Sequence, residues 1–154
     1  MDIQIREALE SDAGQIAEFN SRLAAETEGM QLLPGVVVPG VEAMLADPSK
    51  GRYWVAESGG RIVGQIMVTY EWSDWRNGMI WWIQSVYVHG EYRRSGVFSA
   101  LYRHVETLAR KDPGVCGIRL YVERENSRAR QTYASLGMAR TDYRIMQLMF
   151  TGDE

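Results

Sequence analysis

Apolar side chains change their period several times along this chain, and each change marks an element. IQIREA (residues 3–8) alternates, apolar at Ile3 and Ile5, which predicts a half-buried strand. Behind Ser11-Asp12, a pair able to cap a helix, Ile16, Phe19 and Leu23 fall on one face at helical spacing. That helix is expected to fade near AAETEGM. LLPGVVVPG carries the breakers of a connection, and VEAMLA then predicts a second short helix. Asp47-Pro48 closes it, because a residue before proline is disfavoured in the helical region.

The middle of the chain changes to strand signals. RYWVAES and RIVGQIMVTYEW flank Gly59-Gly60, a two-residue hairpin turn. Asn77-Gly78 then separates the second of these from MIWWIQSVYVHG, rich in β-branched and aromatic residues, so three antiparallel strands are expected. Val97, Leu101, Val105 and Leu108 form a helical stripe. Asp112-Pro113-Gly114 breaks the chain and CGIRLYV reads as a strand. Ala129, Thr132, Tyr133 and Leu136 make a last amphipathic helix, with Gly137 where a left-handed cap is needed. YRIMQLMF reads as a closing strand. The order is β-α-α-β-β-β-α-β-α-β, with one or two strands at the end, an α/β domain on a mixed sheet.

Composition narrows the class. The 154 residues suit one domain with a real core, and 45% apolar with 24% charged residues is globular rather than disordered. A formal net charge of −3 argues against general attraction to nucleic acid. No run approaches membrane-spanning length and no signal peptide is visible, so no membrane partner is expected. Cys116 is the single cysteine and cannot form an internal disulfide, which fits a reducing cytoplasm. His89 and His104 stand far apart, and no metal-site spacing arises.

The chemistry concentrates in EYRRSGVFSALY (residues 91–102), where a strand runs through a turn into a helix. The first turn of a helix has N–H groups without partners, and the helix dipole adds partial positive charge. Gly96 lets a ligand approach the backbone, while Arg93 and Arg94 supply full charge. The combination suits a phosphate, although a solvated arginine pair before an ordinary helix has the same sequence. It lacks the ending of a nucleotide P-loop and the three glycines of a dinucleotide fold.

About thirty residues on, GIRLYVERENSRARQTYASLGM delivers Asn126, Ala129, Tyr133 and Gly137 in order. With both stretches, the chain resembles the GNAT superfamily of acetyl-CoA-dependent N-acetyltransferases, whose motif Gln/Arg-x-x-Gly-x-Gly/Ala reads here Arg93-Arg94-Ser95-Gly96-Val97-Phe98. Phe98 departs from the final Gly or Ala, yet still offers its backbone N–H. The resemblance covers nearly the whole chain. It implies an α/β (α+β type) domain over residues 1–154, with a mixed, mostly antiparallel sheet of six or seven strands, about four helices, and a splay between the fourth and fifth strands.

The resemblance also implies roles. Coenzyme A is expected along Val86, Tyr87 and Val88, on the backbone of residues 94–99 (Arg94, Ser95, Gly96, Val97, Phe98, Ser99), and at Arg93, Asn126 and Tyr133. Tyr133 is the implied proton donor to the departing thiolate; a core tyrosine on an amphipathic helix is the plain alternative. Where many relatives place a basic glutamate, this chain has MIWWIQSVYV, without an acid. Glu71, with Asp74 behind it, is the nearest substitute, and a water relayed to backbone carbonyls is equally credible. Glu26, Glu28, Glu71, Trp82 and Gln84 are the candidate substrate-binding residues, since carboxylates and indole faces suit a cationic amine. The expected activity is acetyl transfer to a small primary amine, with a homodimer expected. A protein N-terminal or lysine acetyltransferase is the runner-up, and a non-catalytic coenzyme-A-binding module stands as the reading from another class.

Overall fold

The computed structural model describes residues 2–151. Two compact units divide the chain, Met1–Leu120 and Tyr121–Glu154. The first holds a five-stranded sheet in the order β1-β2-β3-β4-β5. Its strands are β1 (Gln4–Glu7), β2 (Arg52–Ser58), β3 (Arg61–Ser73), β4 (Gly78–Val88) and β5 (Val115–Arg119). Neighbours are antiparallel except β4 and β5, which run parallel, so the sheet is mixed as expected. Three helices accompany it, α1 (Ala13–Glu28), α2 (Pro34–Ala46) and α3 (Val97–Lys111).

Alternation along the strands sorts side chains between two layers. Tyr53, Val55 and Met67 pack with Ile16, Ala17 and Val41 of α1 and α2. On the opposite face Trp54 stacks on Trp81 and meets His104 of α3 edge-on. There Gly64 makes room for α3, since a Cβ at this position would stand 2.9 Å from Val97 Cγ1. The predicted α3 stripe is in place, with Val97, Leu101 and Val105 buried.

Arg6 and Asp12 tie β1 to the start of α1. Arg6 donates to both Asp12 oxygens at 2.8 and 3.1 Å, and Leu9 N donates to Asp12 Oδ2 at 2.7 Å. The Arg6 bond, helped by that of Leu9, holds the buried Asp12 carboxyl below its ordinary value. A depressed carboxyl stabilises the fold above its unfolded pKa and loses that contribution as pH falls through the folded one. Asp12→Asn should therefore lower stability at pH 7 by about 1.5 kcal/mol. In thermal melts the difference from wild type should narrow below about pH 4.

Two expectations are corrected. LLPGVVVPG is not a connection: the helix starts at Pro34 and runs on through Pro39. Proline is well suited to the first helical position, and Val37, Val38, Val41, Met44 and Leu45 recur at helical spacing against the core. That face outweighs the donor lost at Pro39. The sheet has five strands rather than six or seven, because residues 143–150 (YRIMQLMF) form no strand. Ile145, Met146, Leu148 and Phe150 are exposed. Their apolar positions fall on both parities, the pattern of a strand that needs cover on both faces rather than pairing alone.

The second unit contains α4 (Ser127–Ser135). Asn126 caps it, its Oδ1 accepting from Ala129 N at 3.0 Å. Gly137 is left-handed at φ 96°, and the N–H groups of Gly137 and Met138 return to the Ala134 and Tyr133 carbonyls, as the sequence predicts for a helix end. No helix among the described residues is long and apolar enough to cross a membrane.

Candidate active site

Strand β4 is paired on both sides for only half its length. Its parallel ladder with β5 runs from Met79↔Val115 to Trp82↔Arg119 and stops there. Beyond Trp82 it keeps β3 alone, so the expected splay between fourth and fifth strands is present. Within that half the β3 register slips. Met67 faces Gln84 and Gln65 faces Tyr87, so β4 carries one extra residue between those pairs. This is a β-bulge, and Ser85 sits in it at φ 51°, a left-handed conformation that a non-glycine residue rarely adopts.

Past the bulge, His89 N donates to Val63 O, so the alternating pattern of an antiparallel pair turns the Val86 and Val88 peptide groups toward the open edge. Arg93 Nε donating to Val88 O at 2.9 Å marks that edge as able to accept. It leads into a depression of about 190 Å³ lined by Val88, Arg93, Arg94, Gly96 and the first turn of α3. Two residues of its rim are left-handed, Arg94 at φ 64° and Gly96 at φ 85°. Gly96 is also the N-cap of α3 and supplies no capping side chain. Successive main-chain N–H groups in such a turn form an anion-binding concavity. A Cβ built at Gly96 meets no protein atom within 4 Å, so the room before it is free for a ligand. Phe98 is among the residues that line the depression, and its half-buried ring lies 6.2 Å from that of Tyr102, centroid to centroid. Ser95 is exposed in the same turn. The concavity, its two arginines and the open strand edge fit a diphosphate with an amide-bearing arm.

Two of the candidate acids, Glu26 and Glu71, are already partnered. Glu26, near the end of α1, accepts from the Tyr87 hydroxyl at 2.6 Å and from Arg93 at 2.7 Å. The Tyr87 bond first, and then Arg93, hold its carboxyl below the ordinary value. Burial, and then the same bond to Glu26, push the Tyr87 hydroxyl up. Arg93 also lies over the Tyr87 ring at 5.1 Å. Glu26 therefore joins α1 to the depression. Glu28 is exposed two residues further along α1.

Glu71, Trp82 and Gln84 come together on one face of β3 and β4. Trp82 Nε1 donates to Glu71 at 2.7 Å, Arg119 of β5 donates at 3.1 Å, and Gln84 donates to Thr69 at 2.5 Å. The indole bond and then Arg119 hold Glu71 below its ordinary value, which makes it a poor proton acceptor and a persistent anion. Asp74 lies in the exposed turn between β3 and β4. Tyr133 is half-buried on α4, and Asn126 is that helix's cap.

Four residues of this region escaped sequence reasoning: Asn20, Tyr53, Gln65 and Ser85. Gln65 Nε2 donates to Asn20 Oδ1 at 2.8 Å and to Ser85 O at 3.1 Å, while Asn20 donates to the Tyr53 hydroxyl at 3.0 Å. Only one signal pointed there, a lone amide inside the apolar run RIVGQIMV. Arg119 escaped as well, since a charged strand-end residue has nothing local to mark it.

Comparison with known proteins agrees with this geometry. The model of the acetyltransferase (GNAT) family matches residues 19–138. A possible acetyltransferase from Clostridium difficile 630 is 49% identical with a TM-score of 0.91, over 97% of this chain and 98% of that one. The ribosomal-protein-alanine N-acetyltransferase of Brucella melitensis biovar Abortus 2308 is 18% identical, TM-score 0.77, over 97% of this chain and 100% of that one. Glucosamine-6-phosphate N-acetyltransferase from Arabidopsis thaliana is 19% identical, TM-score 0.74, over 98% and 100%. The last two show a shared fold alone. No curated protein matches the chain.

Proposed function

The chain belongs to the GNAT acetyltransferase family, and from that premise we propose that it moves the acetyl group of acetyl-CoA onto the primary amine of a small, cationic molecule. Residues 1–154 act in this reading as a single acetyltransferase domain, working as a homodimer. One observation carries it: the open edge of β4 runs directly into the concavity at Arg93–Gly96. Acetyl-CoA supplies, when bound, an acyl group activated as a thioester. The N–H groups of residues 94–99 hold its diphosphate, with Arg93 and Arg94 adding charge, and Val86 and Val88 pair with its arm as an added strand does. Tyr87 backs that edge, and Asn126 joins the cofactor residues on family resemblance.

The chain's own residues then have three tasks: to orient the amine, to stabilise negative charge on the acyl oxygen, and to return a proton to sulfur. Val86 N–H, on the open edge, serves the second. Tyr133 is assigned the third on family resemblance. For the first, the Glu71 carboxylate and the Trp82 indole offer an anion and an aromatic face, with Gln84 beside them. Glu26 and Glu28 add negative charge at the end of α1. Because Glu71 is held as an anion, binding a cation suits it better than removing a proton.

A panel of amines and amino-terminal peptides, each mixed with purified protein and acetyl-CoA while free thiol is followed, tests the proposal. Release that depends on a small cationic amine is the expected result. Release with peptides alone assigns a protein acceptor, release without any amine is mere hydrolysis, and binding without release leaves a coenzyme-A-binding module. On an amine that turns over, Glu71→Gln should raise KM about ten-fold with kcat nearly unchanged, the pattern of a lost ground-state contact. A fall in kcat that high pH restores would instead make Glu71 the base.

A further inference from the structure

The Ser85 conformation is costly for a non-glycine residue and persists only where its surroundings enforce it. Here three elements enforce it. Gln65 of β3, fully buried, donates to the Ser85 carbonyl and to Asn20 of α1. Tyr53 of β2 accepts from Asn20 and so fixes the amide to which Gln65 donates. Ser85 is thus gripped at its carbonyl, through a relay that spans β3, α1 and β2.

Gln65 uses both amide hydrogens in this way, which leaves its Oε1 buried without a partner. An orphaned buried acceptor carries an uncompensated desolvation penalty, whereas an apolar side chain of similar shape carries none. Core stability alone does not call for an amide here. What the amide supplies is a donor aimed at one carbonyl.

That carbonyl shares a peptide plane with Val86 N–H, and in a trans peptide the two point in opposite directions. Among the described residues no peptide bond is cis. Drawing Ser85 O toward Gln65 therefore turns Val86 N–H the other way, to the edge that β5 has left. We infer that Gln65 is a positioning residue, which by holding the Ser85 carbonyl aims the Val86 N–H at the thioester oxygen. This rests on the role given to Val86 above.

The test is the infrared band of the thioester carbonyl in bound acetyl-CoA, isolated by the difference between carbonyl-¹³C and unlabelled ligand. In the wild-type protein the band should lie below its position in water-free solvent, as a hydrogen-bonded carbonyl does. Gln65→Met keeps volume and removes both donors. It should return the band toward the unbonded position, while calorimetric affinity for coenzyme A, which lacks the acyl group, stays as in wild type. A wild-type band without a shift overturns the Val86 reading itself. A shifted wild-type band that Gln65→Met leaves in place overturns the role of Gln65 alone. Tyr53→Phe, which removes only the hydroxyl that orients Asn20 and through it Gln65, should give a smaller return of the band. It decides the matter if circular dichroism shows Gln65→Met unfolded, and a band unmoved by it then counts against the clamp.

Discussion

Gly96→Val should bind acetyl-CoA at least ~100-fold more weakly than the wild-type protein, a loss of roughly 2.7 kcal/mol. Two effects add. At φ 85° glycine is at ease, and a β-branched residue is strained by about 1–2 kcal/mol before any ligand arrives. Its side chain would also project into the free space in front of the turn, where the structure has no atom within 4 Å. An anion held by main-chain N–H groups must come close to that backbone, and a valine keeps it away. Calorimetric titration with acetyl-CoA and with coenzyme A measures the effect, with circular dichroism as the control for folding. Equal affinity in variant and wild type would remove the main-chain cradle, and the proposed function with it.

Tyr133→Phe should leave acetyl-CoA affinity intact and lower kcat by about 100-fold, the usual range for a lost general acid. A phenol near pKa 10 gives its proton to a thiolate of about 8.5 against only a mild gradient. Without it the leaving sulfur depends on solvent acids, which grow more abundant as pH falls. The deficit should therefore be largest at high pH and narrow toward acid. A kcat equal to wild type at every pH would assign the protonation to water or to another group.

Features written in local chemistry were legible in the sequence. Gly59 and Gly60 adopt φ 59° and 76°, the left-handed pair that a tight hairpin demands, and Gly137 ends α4 as read. Both rest on a residue whose identity fixes a dihedral. The splay followed from family resemblance, and the turn before α3 from Gly96. The bulge stayed hidden because Ser85 does not announce a left-handed backbone, and nothing interrupts IQSVYV at that point. Gln65 stayed hidden because a single polar residue in a strand looks the same whether it faces solvent or a buried carbonyl. The start of α2 was lost because Pro34 and Pro39 speak for breaks, while the face that keeps the helix is judged only against its core. Residues 143–150 show the converse. Strand-forming residues are local, but a ladder needs a neighbouring edge at the right register, and composition holds no record of one.

In the proposed reading the turn at residues 93–96 grips its ligand mainly through peptide groups. A main chain cannot be edited by substitution, so this part of the molecule offers evolution few handles. Neighbouring positions are free to drift, as Phe98 illustrates, provided the handedness at Gly96 survives. In that reading the donor half of the reaction is insulated from change, and selection for a new acceptor can work on the proposed amine-binding residues Glu71, Trp82 and Gln84 without loosening the hold on the shared reagent.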